Sequence, residues 1–128
     1  MTQENKELLL RDLCARIPYG VKVNNEIQGD FTLIGLTKER VFTTCEIEGC
    51  HNDFPIELIK PYLFPLSSMT EWQDRELEIL MKNSIESCRM LSPYDCLEME
   101  RFFNENHLDW RGLIPMNLAI DVTGLNIY

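Results

Sequence analysis

His107, Asp109, Trp110 and Arg111 fall within five consecutive residues, the one place in the chain where an imidazole, a carboxylate, an indole and a guanidinium stand together. As a site, Asp109 would orient His107 for proton transfer or hydrogen bonding, while Trp110 and Arg111 would offer a stacking face and a forked donor. Those two residue types dominate binding hot spots. The same types also end helices and fill turns. His107 can satisfy the last carbonyls of a preceding helix, Leu108 and Trp110 can plug a core, and Arg111 can pair with Glu105 or Asp109. The structural assignment is preferred, and the four residues are carried forward as a candidate interaction site.

The remaining candidates for chemistry are thiols and imidazoles. Cys45, Cys50 and His51 surround an expected turn and, with Cys88, Cys96 or His107, supply enough donors for a zinc ion. Zinc ribbons and fingers pair their ligands two to four residues apart and repeat the pair downstream, which this spacing does not do. Adjacent Cys50 and His51 would also point to opposite faces of a strand. A cysteine nucleophile with His51 or His107 as base needs a stabilised thiolate and an oriented base, and no local signature of such an enzyme is present. Serine-elbow, phosphate-loop and dinucleotide patterns are absent as well. No catalytic residue, metal or cofactor is assigned.

Twenty-one acidic residues face 12 basic ones, a formal charge of −9, and no Lys/Arg cluster appears. A phosphate backbone or anionic membrane would be repelled, so neither nucleic acid nor membrane is an expected partner. Residues 1–6 are polar and Leu8-Leu9-Leu10 is too short for a signal-peptide core, which points to the cytoplasm and to reduced thiols. The 128 residues suit one domain.

These groups must be positioned by a small set of elements. Leu9, Leu10, Leu13, Cys14 and Ile17 recur at helical spacing, with Glu7, Arg11 and Asp12 on the other side, so the spacing predicts a helix over 4–17, ended by Pro18. From Tyr19 the period becomes two, and apolar runs at 19–23, 31–36, 41–47 and 50–54 are separated by turn residues. They predict a three- or four-stranded antiparallel meander, curled or forming a small open barrel. Glu48-Gly49 is one of the turns. Residues 55–66 carry three prolines among apolar residues and read as an irregular segment pinned over the core, with one helical turn at 56–60. Tyr62 and Phe64 form its clamp. Thr70 and Gln73 have capping-box form and predict a helix to about residue 84. Ser92-Pro93-Tyr94-Asp95 starts another that turns Cys96, Met99, Phe102 and Phe103 to the core and frays near Asn106. Residues 118–122 read as one late strand in an irregular tail. The fold class is α+β.

Three blocks are distinctive. Leu10-Arg11-Asp12-Leu13-Cys14-Ala15-Arg16-Ile17-Pro18-Tyr19-Gly20-Val21, Ile59-Lys60-Pro61-Tyr62-Leu63-Phe64-Pro65-Leu66-Ser67-Ser68-Met69-Thr70 and Asn106-His107-Leu108-Asp109-Trp110-Arg111-Gly112-Leu113-Ile114 resemble a group of small uncharacterised proteins from gut anaerobes and their phages or integrated elements. A tyrosine often stands there in place of Trp110. The resemblance implies a phage or mobile-element setting and brings no activity, cofactor or site residue with it. The expectation is a non-enzymatic accessory protein that binds another protein. The different-class alternative is a small hydrolase or metal-dependent enzyme using Cys50, His51 or His107.

Overall fold

The computed structural model describes residues 1–45, 51–88 and 93–128, without the side chains of His51, residues 83–88, Pro93 and Tyr94. The first helix, α1 (Gln3–Arg16), is capped by Thr2, whose Oγ1 accepts from Asn5 N at 3.1 Å. Pro18 ends it as expected. A single 3-10 turn, Ile17–Tyr19, leads to Gly20 in the left-handed region at φ 67°, where glycine carries no Cβ penalty. That turn delays the first strand, which begins at Lys22 rather than Tyr19, but Val21 and Val23 keep their alternation and are fully buried.

Strands β1 (Lys22–Asn25), β2 (Gly29–Leu36), β3 (Arg40–Thr44) and β4 (His51–Pro55) form the consecutive antiparallel meander. The β1–β2 turn is shaped by Asn25, whose side-chain oxygen accepts from Ile27 N at 3.0 Å, while Gly29 takes the positive φ. Residues 46–50, including the expected turn at Glu48-Gly49, the end of the third run and Cys50, lie outside the described residues.

The sheet is larger than the sequence suggests. Its order is β4-β3-β2-β1-β5-β6, six strands, and it is open rather than closed into a barrel. The segment expected to be irregular contains β5 (Ile59–Leu63), antiparallel to β1, preceded by a 3-10 turn at Ile56–Leu58. The late strand shrinks to β6 (Ile120–Asp121), which runs parallel to β5. Pro61 fits because β6 pairs only with Tyr62 and Leu63, so on that side Pro61 sits on an edge and owes no ladder donor. The gain is burial, since Ile59, Tyr62 and Leu63 all enter the interior.

Leu9 and Leu13 of α1 pack on Val21, Val23, Leu33, Val41 and Leu63 of the sheet and its approach, with Leu113, Leu118 and Ala119 of the tail completing the core. Two further helices, α2 (Glu71–Cys88) and α3 (Pro93–Glu105), follow. The capping box forms as expected, with Thr70 N donating to Gln73 Oε1 at 3.0 Å and Gln73 N to Thr70 Oγ1 at 3.2 Å. The second helix runs four residues past its expected end, and the Ser92 cap lies outside the described residues. Among the described residues no helix is long and apolar enough to cross a membrane.

Candidate functional site

The 107–111 cluster lies where α3 ends. His107 N donates to Asn104 O at 3.2 Å and Leu108 N to Phe103 O at 2.9 Å, with His107 at φ 56°. This pair of bonds around a left-handed residue closes a helix, and the residue after it is normally apolar. Leu108 fills that role and is buried. His107 therefore does satisfy a late carbonyl of the helix, Asn104 O, but with its backbone N–H rather than its ring. The chain then lies along residue 64: Phe64 N donates to His107 O and Asp109 N to Phe64 O, each at 2.8 Å.

The His107 ring is thereby free to stack on Tyr128, 3.7 Å between centroids and 10° from parallel. The Tyr128 hydroxyl donates to Tyr62 O at 2.9 Å and accepts from Lys22 N at 2.8 Å, tying the tail to β1 and β5. Burial, and secondarily the Arg16 guanidinium, pushes the imidazole down to about 4, so near neutrality it is uncharged. Its Nδ1 has no hydrogen-bond partner.

Asp109 does not orient His107. Its two oxygens accept from Leu113 N at 2.7 Å and Ile114 N at 2.9 Å, closing the turn that carries Leu113 into the core. Arg111 pairs with neither Glu105 nor Asp109. Its Nε lies 3.4 Å from Asp12 Oδ1, a charge contact without hydrogen-bond geometry, and its guanidinium sits 4.2 Å over the Trp110 ring. Trp110 in turn donates from Nε1 to Asn104 Oδ1 at 3.0 Å and stacks on Phe103 at 5.9 Å.

The expectation that Asp12 lies on the polar side of α1 is corrected. Asp12 and Arg16 are both fully buried, joined by Nε–Oδ2 at 2.8 Å and Nη2–Oδ1 at 3.1 Å, and Arg16 Nη2 also reaches Leu108 O at 2.6 Å. A buried ion pair needs such a set of bonds to offset its desolvation. The i, i+4 Asp–Arg spacing was the available sequence signal, but nothing local distinguishes a buried pair from a surface one.

Chemically, the arrangement is a joint. Among the described residues His107 has no carboxylate beside it, Asp109 is spent on backbone amides, and no thiol partners either. Among the described residues no three His, Cys, Asp or Glu side chains converge to hold a metal ion. Cys14 and Cys96 are exposed free thiols. Cys50 and the side chains of His51 and Cys88 lie outside the description.

What the joint positions is a groove. Cys96, Met99, Glu100 and Phe103, with Trp110, line a shallow depression of about 290 Å³ on the side of α3. Met99 and Phe103 were expected to face the core along with Cys96 and Phe102. Only Phe102 is buried. On α2, Trp72 is 70% exposed and Ile79 59%, and on α3 Leu97 is 64% exposed, so the pair of helices shows apolar side chains to solvent. No protein-family model, curated protein sequence or solved structure matches the chain.

Proposed function

We propose that this chain is a non-enzymatic, cytoplasmic protein-binding domain that works in a phage or mobile-element setting, docking its partner on the α3 groove. The observation that carries the reading is the Met99/Phe103/Trp110 surface. It combines a fixed aromatic wall, the type that anchors hot spots, with an adaptable thioether. Leu97, the residue after Cys96 on α3, is exposed as well, and so are Trp72 and Ile79 on α2. The resemblance of residues 10–21, 59–70 and 106–114 to proteins of gut anaerobes and their mobile elements motivates the setting.

The test is affinity capture from the native cells with wild type, Met99→Glu and Met116→Glu. Met116 is exposed in the tail and away from the groove lining, so its variant serves as the surface control. A protein retained by wild type and Met116→Glu and lost from a folded Met99→Glu supports the reading. A capture pattern identical for all three variants refutes it.

A further inference from the structure

The groove specifies the kind of element that fits it, provided the protein-binding reading above holds. Cys96, Met99, Glu100 and Phe103 stand at i, i+3, i+4 and i+7 on α3, the stripe by which one helix packs on another. Its length is about 10 Å at the helical rise per residue. Trp110 extends it past the helix end as a wall held by Asn104 and Phe103. Such a stripe is complementary to a second helix. An extended strand would need a backbone edge, which a helix side does not offer.

Charge selects among helices. Together α2 and α3 carry nine acidic and three basic residues, so −6 of the chain's −9 resides on 31 residues. Glu100 stands in the groove itself. The single basic residue of α3, Arg101, lies on the other side of the helix, lining the seam with α2, and is held by Glu98 at 2.7 Å, while Arg111, over the Trp110 ring at the end of the groove, faces Asp12 at 3.4 Å. A second copy of this chain would bring another face of the same sign, and an anionic lipid surface would be repelled for the same reason.

We infer that the occupant of the α3 groove is a basic amphipathic helix of another protein, its apolar stripe on Met99, Phe103 and Trp110 and its Lys or Arg flank toward Glu100 in the net-negative field of α3. Two synthetic helical peptides of about 18 residues, five turns, test this: both carry the same leucine stripe, one with lysines and the other with glutamates on the polar face. They are titrated into the Trp72→Phe protein, in which Trp110 is the sole indole.

The lysine peptide is expected to shift Trp110 emission and saturate at one peptide per chain, with affinity falling at least about tenfold between about 50 and 500 mM NaCl. Met99→Glu is the decisive variant. It adds negative charge, so loose electrostatic association would hold or strengthen, whereas seating in the groove weakens at least about tenfold. Equal binding of the glutamate peptide, undiminished binding of the lysine peptide to Met99→Glu, or a dimer of the free chain that Met99→Glu dissociates would each overturn the inference. Capture of a native partner through Met99 while neither peptide binds would overturn it too, and would leave the protein-binding reading standing.

Discussion

Replacing Arg16 by methionine removes the cation of the buried pair and nothing that touches solvent. Asp12, fully buried, then loses both hydrogen bonds from the guanidinium and keeps only Arg111 Nε at 3.4 Å. Leu108 O loses its 2.6 Å bond but retains Trp110 N at 3.1 Å, so the backbone carbonyl is not orphaned. Breaking a buried pair costs about 3–5 kcal/mol, and the surviving partners place this case near the lower figure, about 3 kcal/mol. With a urea m-value of about 2 kcal/mol/M, the midpoint should fall by about 1.5 M, and Tm by about 10–15 °C. Far-ultraviolet circular dichroism along a urea series measures it. The double variant Asp12→Leu, Arg16→Met should recover about 1 kcal/mol or more relative to the single one, because an uncompensated buried charge is gone and Arg111 is near enough to the surface to rehydrate. A single-variant loss under about 1 kcal/mol, or strict additivity in the cycle, would refute the claim that this pair clasps α1 to the end of α3.

Three further outcomes follow from the same joint. Asp109→Ala leaves Leu113 N and Ile114 N without acceptors and should cost about 2 kcal/mol in urea unfolding, while Trp72→Ala, on a side chain 70% exposed, should stay within about 0.5 kcal/mol. Trp110→Phe keeps the ring against Phe103 but loses the bond to Asn104, so about 1 kcal/mol of stability should go, with the thermal transition remaining a single step. The third is a pH effect: an unfolded histidine titrates near 6.5 and folded His107 near 4. Between those values the unfolded chain binds a proton that the folded chain refuses, so this contribution to stability is intact above about pH 6.5 and drains away as pH falls toward 4. Relative to His107→Asn, wild type should lose about 1–2 kcal/mol more across that window, a figure reduced for the solvent that reaches the ring. A His107 proton resonance titrating near 6.5 would contradict the buried placement.

The elements written in short-range signals were legible: the α1 helix ended by Pro18, though its inward face carries Leu9, Asp12, Leu13 and Arg16 rather than Cys14, the Thr70/Gln73 box and the strand alternation at Val21 and Val23 all depend on neighbours within a few residues. Strand β5 was not, because its pairing with β1 joins positions such as Val23 and Pro61 far apart in sequence, and Pro61 argues locally against a strand. The same holds for Asp12. Its polarity placed it on the solvent side of α1, and the distant group that receives the Asp12–Arg16 pair inside is Leu108 O, bonded to Arg16. In the 107–111 cluster, the residue types announced a helix end, but which group satisfied which carbonyl depended on a left-handed backbone at a histidine. Trp110 reached the candidate surface for a reason sequence could not supply, namely that Phe103 stands beside it once α3 has ended.

The two roles of residues 104–111 depend on each other. The segment closes α3, receives Arg16 on Leu108 O and pairs along Phe64, so its backbone is fixed at three points before any surface forms. Trp110 inherits that rigidity, with Asn104, Phe103 and Arg111 each holding the indole. A partner that meets a wall already in place loses little free energy to ordering side chains, and affinity then depends on shape and charge rather than on folding the site. By contrast, none of the described residues of α2 before Asn83 is buried, and Gln73 Nε2 to Asn106 Oδ1, at 3.2 Å, is its bond to the joint. Ile79 and Leu80 line the seam that α2 shares with Phe102 of α3. The groove side of α3 should therefore be a preformed interface, with α2 bracing the opposite side of the helix.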